Sequence, residues 1–425
     1  MNVSLIASSN EGLTDAQISA SIEKALKDKK DLKKILIIPP DYTRLNSYAG
    51  EITGFIYDLL CQKCTIDIMP ALGTHMPMTD EERADMFSSR IPKECFKVHN
   101  WRTDVVKIGE IPAEFVKDVS EGLMDEPIDV EVNRLLLDKS YDLIISIGQV
   151  VPHEVVGMAN YSKNIFVGCG GRSMINQTHM LGAFYGLERI MGKDFSPVRR
   201  VFDYAEENFT RELPLLYVLT VTSQNNGKTC VDGLFIGRER RLFEEAVSLS
   251  QKKNLNLVDK PLKKVVVYLD EKEFKSTWLG NKAVYRTRLA IADGGELLVL
   301  APGVRKFGED DGNDLLIRKY GYVGREKILE LFREKEELRS NQSVAAHLIH
   351  GSSDGSFSIT YAVDKLTKEE VEGVNYKYAD LSSVYEKYNP EKLKEGFNIL
   401  EDGEEVYYIS NPALGLWASR NRFSL

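Results

Sequence analysis

Three polar clusters in this sequence each follow an apolar stretch and contain side chains suited to acid–base or anion-binding chemistry. The first, PPDYTR, contains Asp41, Thr43 and Arg44 directly after the apolar run KILII. A guanidinium offers a planar fork to a carboxylate or a phosphate, and the neighbouring carboxylate and hydroxyl could bind a polyol. The same residues could also form an ordinary surface turn that caps a helix.

The second cluster, ALGTHMPMTDEE, places His75 shortly after Gly73 and behind the apolar run TIDIM. Thr79 and Glu82 have the spacing of a capping box, so a helix is predicted to begin there. His75 is therefore expected on a loop between a strand and a helix, where catalytic side chains are common. A single loop histidine is equally compatible with a structural role.

The third cluster covers residues 150–182, VVPHEVVGMANYSKNIFVGCGGRSMINQTHMLG, and contains His153, Lys163 and His179. A histidine can act as a base near neutral pH or as a metal ligand. A lysine can bind phosphate or, when burial lowers its pKa, bond covalently to a cofactor. We interpret this stretch as a long functional loop, since long loops inside compact domains usually serve a function. In the alternative interpretation, Lys163 and His179 are exposed surface residues.

Short apolar segments alternate with longer amphipathic segments along the whole chain, which is typical of an α/β fold with largely parallel sheets. The predicted strands are residues 34–40, 65–73, 141–149, 265–270, 295–302 and 404–410. Parallel strands end at one edge of a sheet, where ligands commonly bind. The three clusters are therefore expected to face one site.

A polar segment at residues 255–264 is predicted to link two α/β domains. The first domain is expected to span residues 1–258 and the second residues 263–398, with an active-site crevice between them. The segment at about 400–425 could return to the first domain. Helices are predicted at 240–254 and 281–292 from their periodicity.

The composition excludes several classes of function. The 425 residues carry a net charge of -9, which argues against a nucleic-acid partner. No apolar run reaches the roughly 18 residues of a membrane span, and no secretory signal is recognisable, so a cytoplasmic location is expected. The five cysteines show no disulfide spacing, and CQKC at Cys61–Cys64 is interpreted as a helix end rather than a zinc site.

Taken together, the three clusters resemble the nickel-dependent lactate racemase family. The resemblance rests on PPDYTR, ALGTHMPMT and PHEVVGMANYSKNIFVGCGGRSMINQTH, with a weaker similarity in YLDEKEFKSTWLGNKA. Nine residues separate His153 from Lys163, and fifteen separate Lys163 from His179. Length and two-domain layout also agree, so the resemblance covers most of the chain.

The resemblance implies inversion of C2 of a small 2-hydroxy acid by reversible hydride transfer to a nickel pincer nucleotide, nickel pyridinium-3,5-bisthiocarboxylic acid mononucleotide. It implies a covalent bond between this cofactor and Lys163, with His179 as a nickel ligand. His75 and His153 would alternate as general base and acid. Separate cofactor-biosynthesis proteins are the implied partners. Further cofactor contacts are implied for Asp41, Thr43, Arg44, Gly170 and Gly171, and Arg44 would also bind the substrate carboxylate.

The chain departs from the lactate enzyme of this family on the substrate side. Phe274, Lys275 and Trp278 stand where that enzyme has tyrosine, glutamine and lysine, and Lys282 could restore the cation one helical turn later. Lys275, Trp278 and Lys282 are the expected substrate contacts. The substrate is therefore expected to be lactate or a larger acid, such as malate, an aryl-lactate or an aldonate like gluconate or mannonate.

Two other functions remain open from the residues alone. His75, His153 and His179 could form the three-histidine set of a zinc hydrolase, which would leave Lys163 without a role. The chain could also be a non-enzymatic module that binds a nucleotide or a sugar acid. That signal is weak, because GCGG lacks the spacing of a phosphate-binding fingerprint.

Overall fold

The structure is a computed structural model that describes residues 2–29, 31–87, 89–225, 227–413 and 415–423. The chain divides into two compact units. The first unit comprises Met1–Leu181 and Ile190–Asn254, and the second comprises Gly182–Arg189 and Leu255–Leu425.

The first unit is built on a six-stranded sheet with the strand order β1-β10-β9-β6-β2-β3. The pairs β9–β6, β6–β2 and β2–β3 are parallel, whereas β1–β10 and β10–β9 are antiparallel. The strands of this unit are β1 (Val3–Ile6), β2 (Lys34–Ile38), β3 (Thr65–Ile68), β4 (Val105–Ile111), β5 (Ile128–Asn133), β6 (Leu143–Gln149), β7 (Pro152–His153), β8 (Gly157–Met158), β9 (Leu215–Asn225) and β10 (Lys228–Gly237).

Helices lie along the chain between these strands, and their bounds are α1 (Asp15–Leu26), α2 (Ala49–Leu60), α3 (Asp80–Phe87), α4 (Ala113–Val119), α5 (Arg172–Tyr185), α6 (Leu187–Ile190), α7 (Pro197–Phe209) and α8 (Arg240–Asn254). Successive residues of β2 enter two different hydrophobic clusters, one with Leu36 and Ile38 and the other with Ile35 and Ile37. Side chains alternate between the faces of a sheet, so both faces of this strand are buried.

The second unit has its own six-stranded sheet with the order β15-β14-β13-β12-β17-β16, in which only the β16–β17 pair is antiparallel among the described residues. Its strands are β11 (Leu255–Val258), β12 (Leu262–Tyr268), β13 (Ile291–Leu300), β14 (Ser358–Val363), β15 (Lys377–Asp380), β16 (Gly396–Ile399), β17 (Glu405–Ile409) and β18 (Leu416–Ser419). Its helices are α9 (Thr277–Gly280), α10 (Lys282–Thr287), α11 (Asp311–Tyr320), α12 (Arg325–Glu334), α13 (Glu336–Ser340), α14 (Gln342–His350), α15 (Lys368–Gly373) and α16 (Leu381–Tyr385).

The predicted α/β class with mainly parallel sheets is confirmed. The helix predicted at 240–254 coincides with α8. CQKC lies where α2 ends and β3 begins, and the cysteines of the described chain are free thiols.

Three local expectations differ from the structure. The predicted linker 255–264 contains β11 and the start of β12, because Leu255–Val258 pairs with β18. The helix predicted at 281–292 ends at Thr287, and β13 already begins at Ile291. The two strands described after residue 400 pair within the second unit rather than with the first: β17 pairs with β12 and β18 with β11.

Within the part of the chain that the structure describes, no helix combines the length and the apolar character that a membrane crossing requires.

Candidate active site

The three polar clusters follow β2, β3 and β6, which are neighbours in the sheet of the first unit. β2 pairs in parallel with β3 on one side and with β6 on the other, so the carboxyl ends of all three strands meet at one edge. The chain continues from β2 to β3 in one direction and from β6 to β9 in the other, which makes the β2/β6 boundary a topological switch point. Ligands of open α/β sheets bind at such points.

Asp41 and His75 form a hydrogen-bonded pair across two of these strand ends. Asp41 is 4% exposed, and His75 donates its Nδ1 hydrogen to Asp41 Oδ2 at 2.6 Å. The other carboxylate oxygen of Asp41 accepts from the hydroxyl of Thr43 at 2.5 Å and from its backbone N–H at 3.2 Å. Burial raises the pKa of Asp41, but His75, Thr43 and the nearby Arg44 outweigh burial and hold it below its usual value.

A tight turn brings His75 to this pairing distance. Gly73 has φ of 56°, in the left-handed region that favours glycine, and its N–H donates to Gly168 O at 2.9 Å. The N–H of His75 donates to Leu72 O at 2.9 Å, which closes the turn. The predicted capping box follows directly, since Thr79 and Glu82 exchange side-chain to backbone hydrogen bonds at 2.9 and 3.2 Å.

His153 lies on the short strand β7, which pairs with β8. Its ring is buried, and its Nδ1 accepts a hydrogen bond from the backbone N–H of Val155 at 3.1 Å. The carboxylate of Glu154 lies 3.5 Å from the same nitrogen.

His75 and His153 therefore favour opposite neutral tautomers. Nδ1 of His75 faces a carboxylate and must carry the hydrogen, so Nε2 keeps the lone pair. Nδ1 of His153 accepts an N–H, so the hydrogen of the neutral ring resides on Nε2. In the neutral state, Nε2 therefore carries the lone pair in His75 and the hydrogen in His153.

Lys163 sits between two unusual backbone segments. Asn160 and Tyr161 precede it with φ of 66° and 57°, and a π-helical turn, Asn164–Gly168, begins directly after it. Burial, followed by the positive charge of Arg44, lowers the pKa of Lys163 to about 8. Its amine is therefore partly unprotonated near neutral pH and suited to nucleophilic attack.

His179 lies on α5 with a half-buried ring whose Nδ1 donates to the carbonyl oxygen of Ile175 at 2.6 Å. Burial, reinforced by the positive charge of Lys163, lowers the pKa of His179 to about 4. The ring is thus neutral at physiological pH and its Nε2 lone pair is available. A backbone carbonyl that fixes the second nitrogen is the usual arrangement around a metal-binding histidine.

Electrostatic coupling shows which residues share the site. The pKa of Lys163 responds to Arg44, Glu154 and Asp41. The pKa of His179 responds to Lys163, Glu154 and His75. The structure thus places Asp41, Arg44, His75, Lys163 and His179 close enough for their charges to interact.

Glu154 is a charged member of the site that the sequence analysis missed. It lies near His153 and acts on both Lys163 and His179. Glu154 directly follows His153 in PHEVV, and this adjacency could have indicated its role.

Comparison with known proteins bears on this site directly. Residues 8–189 match the family model of the lactate racemase N-terminal domain, and all the coupled residues named above fall within that segment. This segment of the chain is similar to the N-terminal domain of lactate racemases.

Two solved structures have a similar fold. A Thermotoga maritima protein from a structural genomics consortium is 24% identical to this chain, with 98% of this chain and 100% of that chain covered and a TM-score of 0.85. The lactate racemase apoprotein from Thermoanaerobacterium thermosaccharolyticum is 16% identical, with 96% and 93% covered and a TM-score of 0.70. A search of curated proteins gave no match.

The glycines that the lactate racemase resemblance assigned to the cofactor are packed tightly against protein atoms. A Cβ on Gly170 would lie 1.8 Å from Phe166 O, and a Cβ on Gly171 would lie 2.4 Å from a carboxylate oxygen of Glu131. Glu131 in turn accepts from the N–H of Ser173 in the first turn of α5. Packing alone explains these glycines, and their contact with a cofactor stays a prediction.

The prediction of a long loop at 150–182 is wrong, because most of this segment forms β7, β8, the π-helical turn and α5. His179 lies on a helix, and Lys163 is the residue before the π-helical turn. Both are shielded from solvent rather than exposed, because α5 and the turn belong to the core of the first unit.

The residues expected on the substrate side all belong to the second unit. Trp278 stacks on His347 with ring centroids 4.3 Å apart. Lys282 is buried, 3.8 Å from a carboxylate oxygen of Glu273, and Lys275 is half-buried. Substrate contact by these residues stays a prediction.

Among the described residues, no three His, Cys, Asp or Glu side chains are grouped so that they could hold a metal ion. A zinc hydrolase would require His75, His153 and His179 as a three-ligand set, and this geometry gives that alternative no support. The lactate racemase resemblance requires only His179 from the protein.

Proposed function

We propose that this protein is a racemase or epimerase that inverts C2 of a 2-hydroxy acid. The observation that carries the proposal is the placement of His75 and His153, with different hydrogen-bond partners, after β3 and β6, the two strands that flank β2. Inversion through a planar 2-keto acid needs one group to take the hydroxyl proton and another to return a proton. A non-enzymatic binding module would leave this pairing without a purpose.

Each histidine has a support suited to its task. His75 accepts the hydroxyl proton at Nε2, and the buried carboxylate of Asp41 stabilises the imidazolium that forms. His153 acts as the acid in its protonated form: the imidazolium gives a proton from Nε2 and becomes neutral, and the carboxylate of Glu154, 3.5 Å from Nδ1, stabilises the charged ring before transfer. For the opposite substrate hand the two roles are exchanged.

The chain also fits the nickel pincer nucleotide. Lys163 has a lowered pKa and makes no hydrogen bond or ion pair to another described residue, so its amine is available for the covalent bond. His179 presents a neutral Nε2 as a nickel ligand. When bound, this cofactor supplies the acceptor and donor for the C2 hydride. Separate biosynthetic proteins would have to deliver it.

Arg44 is the proposed partner of an anionic group in this site. It lies in the 3₁₀ turn Tyr42–Ser47 that follows β2, close enough to Asp41 and Lys163 to shift their pKa values. A guanidinium suits either the carboxylate of a 2-hydroxy acid or the phosphate of a nucleotide. Lys275, Trp278 and Lys282 are proposed to select among lactate and larger acids.

The test uses holoprotein made with the cofactor-biosynthesis enzymes, with the adduct on Lys163 verified by intact mass. Lactate, malate, phenyllactate, gluconate and mannonate, each deuterated at C2, are incubated in ordinary water, and configuration and label are read together. Inversion of at least one acid with retained deuterium is expected, because hydride returns to the carbon from which it came. Absence of inversion by adduct-bearing protein, or complete loss of label at early conversion, contradicts the proposal.

Two single variants, His75→Ala and His153→Ala, test the roles of the histidines. Both are expected to keep the adduct and to lose inversion in both directions by about 10²–10⁴-fold, the usual contribution of a general base. A wild-type rate in either variant removes that histidine from the chemistry.

A further inference from the structure

Arg199 is a fully buried arginine whose guanidinium contacts no carboxylate directly among the described residues. It lies near the start of α7, is 1% exposed, and forms no ion pair with another described residue. Burial lowers its pKa, and the carboxylates of Asp203 and Asp194 oppose this effect from a greater distance. Its Nε lacks a hydrogen-bond partner, so the other guanidinium nitrogens make its direct contacts.

All hydrogen bonds from the Arg199 guanidinium go to one short segment, residues 158–162. Nη1 donates to the hydroxyl of Ser162 at 2.9 Å, and Nη2 donates to the carbonyl oxygens of Met158 at 2.7 Å and Asn160 at 3.3 Å. This segment includes Asn160 and Tyr161, two consecutive non-glycine residues with positive φ. Such a conformation is costly and persists only where surrounding contacts impose it.

The chain on the other side of Lys163 is anchored as well. The side-chain amide of Asn164 donates to Ile38 O at 3.2 Å and to the hydroxyl of Ser146 at 2.9 Å, at the ends of β2 and β6. Lys163 therefore lies between Ser162, which accepts a hydrogen bond from Arg199, and Asn164, which is hydrogen-bonded to the sheet.

We propose that Arg199 is a positioning residue, which holds residues 158–162 in the conformation that presents the Lys163 amine for covalent attachment. This inference rests on the proposed role of Lys163 as the attachment point. This role was not predictable from the sequence, since Arg199 lies on α7, thirty-six residues beyond Lys163.

The charges around Lys163 agree with this arrangement. Burial is the main cause of its lowered pKa; Arg44 and Arg199 lower it further, whereas Glu154 and Asp41 oppose them. The ring of His179 is neutral and adds no charge. If the segment were released, Lys163 would extend into water and regain an ordinary protonated amine.

Arg240 offers a matched control within the same unit. Both guanidinium groups lie over the ring of Phe243, at 4.5 Å for Arg199 and 4.9 Å for Arg240. Arg240, however, pairs with Asp194 and Asp203, and none of its hydrogen bonds goes to residues 158–162. Loss of Arg240 therefore perturbs the core without releasing the lysine segment.

The experiment uses full-length apoprotein and needs no cofactor. Wild type, Arg199→Met, Arg199→Lys and Arg240→Met are treated briefly with acetic anhydride at pH 7.5, and acetylation of Lys163 relative to the exposed Lys228 is read by peptide mass spectrometry. Hydrogen exchange of the amides of residues 158–164 is measured in parallel. Arg199→Met is expected to lower the Lys163/Lys228 ratio at least tenfold and to speed exchange in that segment. Arg199→Lys should fall between it and wild type, and Arg240→Met should match wild type in both.

An unchanged or higher ratio in Arg199→Met overturns the inference, as does an equal drop in Arg240→Met. If Arg199→Met does not fold, Ser162→Ala carries the test, because it removes one acceptor of the guanidinium and should lower the ratio in the same direction. A failure of the proposed function would appear elsewhere, as wild-type holoprotein that inverts no substrate, and would leave this ratio unaffected.

Discussion

The hydrogen bond at one ring nitrogen sets the state of the other nitrogen in the three histidines of the site. A carboxylate faces Nδ1 of His75, a backbone N–H faces Nδ1 of His153, and a carbonyl faces Nδ1 of His179. Three rings with the same intrinsic pKa thereby differ in which nitrogen carries the hydrogen and in which neighbour can stabilise a charge on the ring. The partners, rather than the histidines themselves, distinguish the proposed roles.

Replacing Asp41 with asparagine tests whether the hydrogen-bond partner sets the role of His75. Asparagine can still accept from Thr43 through its carbonyl oxygen, but its amide then donates to Nδ1 of His75 and moves the ring hydrogen to Nε2. We expect Asp41→Asn to lower kcat by about 10²–10⁴-fold with little change in KM, because the base is lost and binding is not. Steady-state polarimetry measures both constants.

The control for that variant is Asp67→Asn on β3. Asp67 accepts from the hydroxyl of Tyr141 at 2.6 Å and pairs with Lys34 and Lys97 rather than with a histidine of the site. The Asp67→Asn variant should lose stability but keep the wild-type kcat. Equal losses of kcat in the two variants would show that Asp41→Asn acts through a loss of structure and not through His75.

Lys163 gives a prediction on stability and pH. Its folded pKa of about 8 lies below the ordinary lysine value of about 10.4, so the unfolded chain binds more protons between these pH values. The buried amine therefore destabilises the apoprotein fully below pH 8, and this cost fades as the pH rises toward 10.4. We expect Lys163→Met to raise the free energy of unfolding by about 2 kcal/mol at pH 7 and by less at pH 9.5.

Urea denaturation at the two pH values measures this difference, with Lys228→Met as the exposed control. A stabilisation that is absent, or that grows with pH, would refute the lowered pKa.

At the scale of elements, α5 carries His179, and the π-helical turn before it begins directly after Lys163. Gly171, the residue before α5, leaves no room for a Cβ beside Glu131, and the Glu131 carboxylate accepts from the N–H of Ser173 at 3.0 Å. His179 then lies two turns into the helix, one turn after Ile175, whose carbonyl it contacts. The helix thus fixes both the place of the ring and its tautomer.

His179→Ala is expected to lose nickel while keeping the covalent adduct on Lys163, since the two contacts are made by different elements. After dialysis, nickel per protein should fall at least about tenfold, in keeping with the effect of losing ligand-shell contacts. Elemental analysis and intact mass give the two readings. Gln177→Ala on the same helix is the control, and an unchanged nickel content in His179→Ala would exclude it as a ligand.

The sequence predicted β2, β3, β6 and α8 well because their patterns are strong and local. It failed between residues 150 and 182, where glycines indicate a loop but actually permit close packing of a π-helical turn against α5 and Glu131. It also missed Glu154 and Arg199, whose importance depends on contacts between segments distant in sequence. Such contacts leave no periodic pattern to detect.

At the scale of the whole molecule, the residues proposed for cofactor attachment and proton transfer lie in one unit, and those proposed for substrate selection lie in the other. Asp41, His75, His153, Lys163 and His179 all belong to the first unit, whereas the expected substrate residues belong to the second. Attachment and proton transfer should therefore respond to changes in the first unit, and choice of acid to changes in the second.

Trp278→Ala tests this division. We expect KM for the preferred acid to rise about tenfold, the value of one lost aromatic contact, with nickel content and adduct unchanged. The control is Phe397→Ala, an exposed aromatic on β16 of the same unit, which should leave KM unaltered. Loss of the adduct in Trp278→Ala would contradict the division.

The unequal supports of His75 and His153 meet a constraint set by thermodynamics. Two enantiomers have the same free energy, so a racemase must show identical kcat/KM for both, however different its two bases are. A carboxylate behind one ring and a backbone N–H behind the other can therefore make turnover of one hand faster only by weakening its apparent affinity in proportion. If the natural substrate carries further stereocentres, its two forms differ in energy, and the ratio of the two specificity constants then reports that difference and nothing about the histidines.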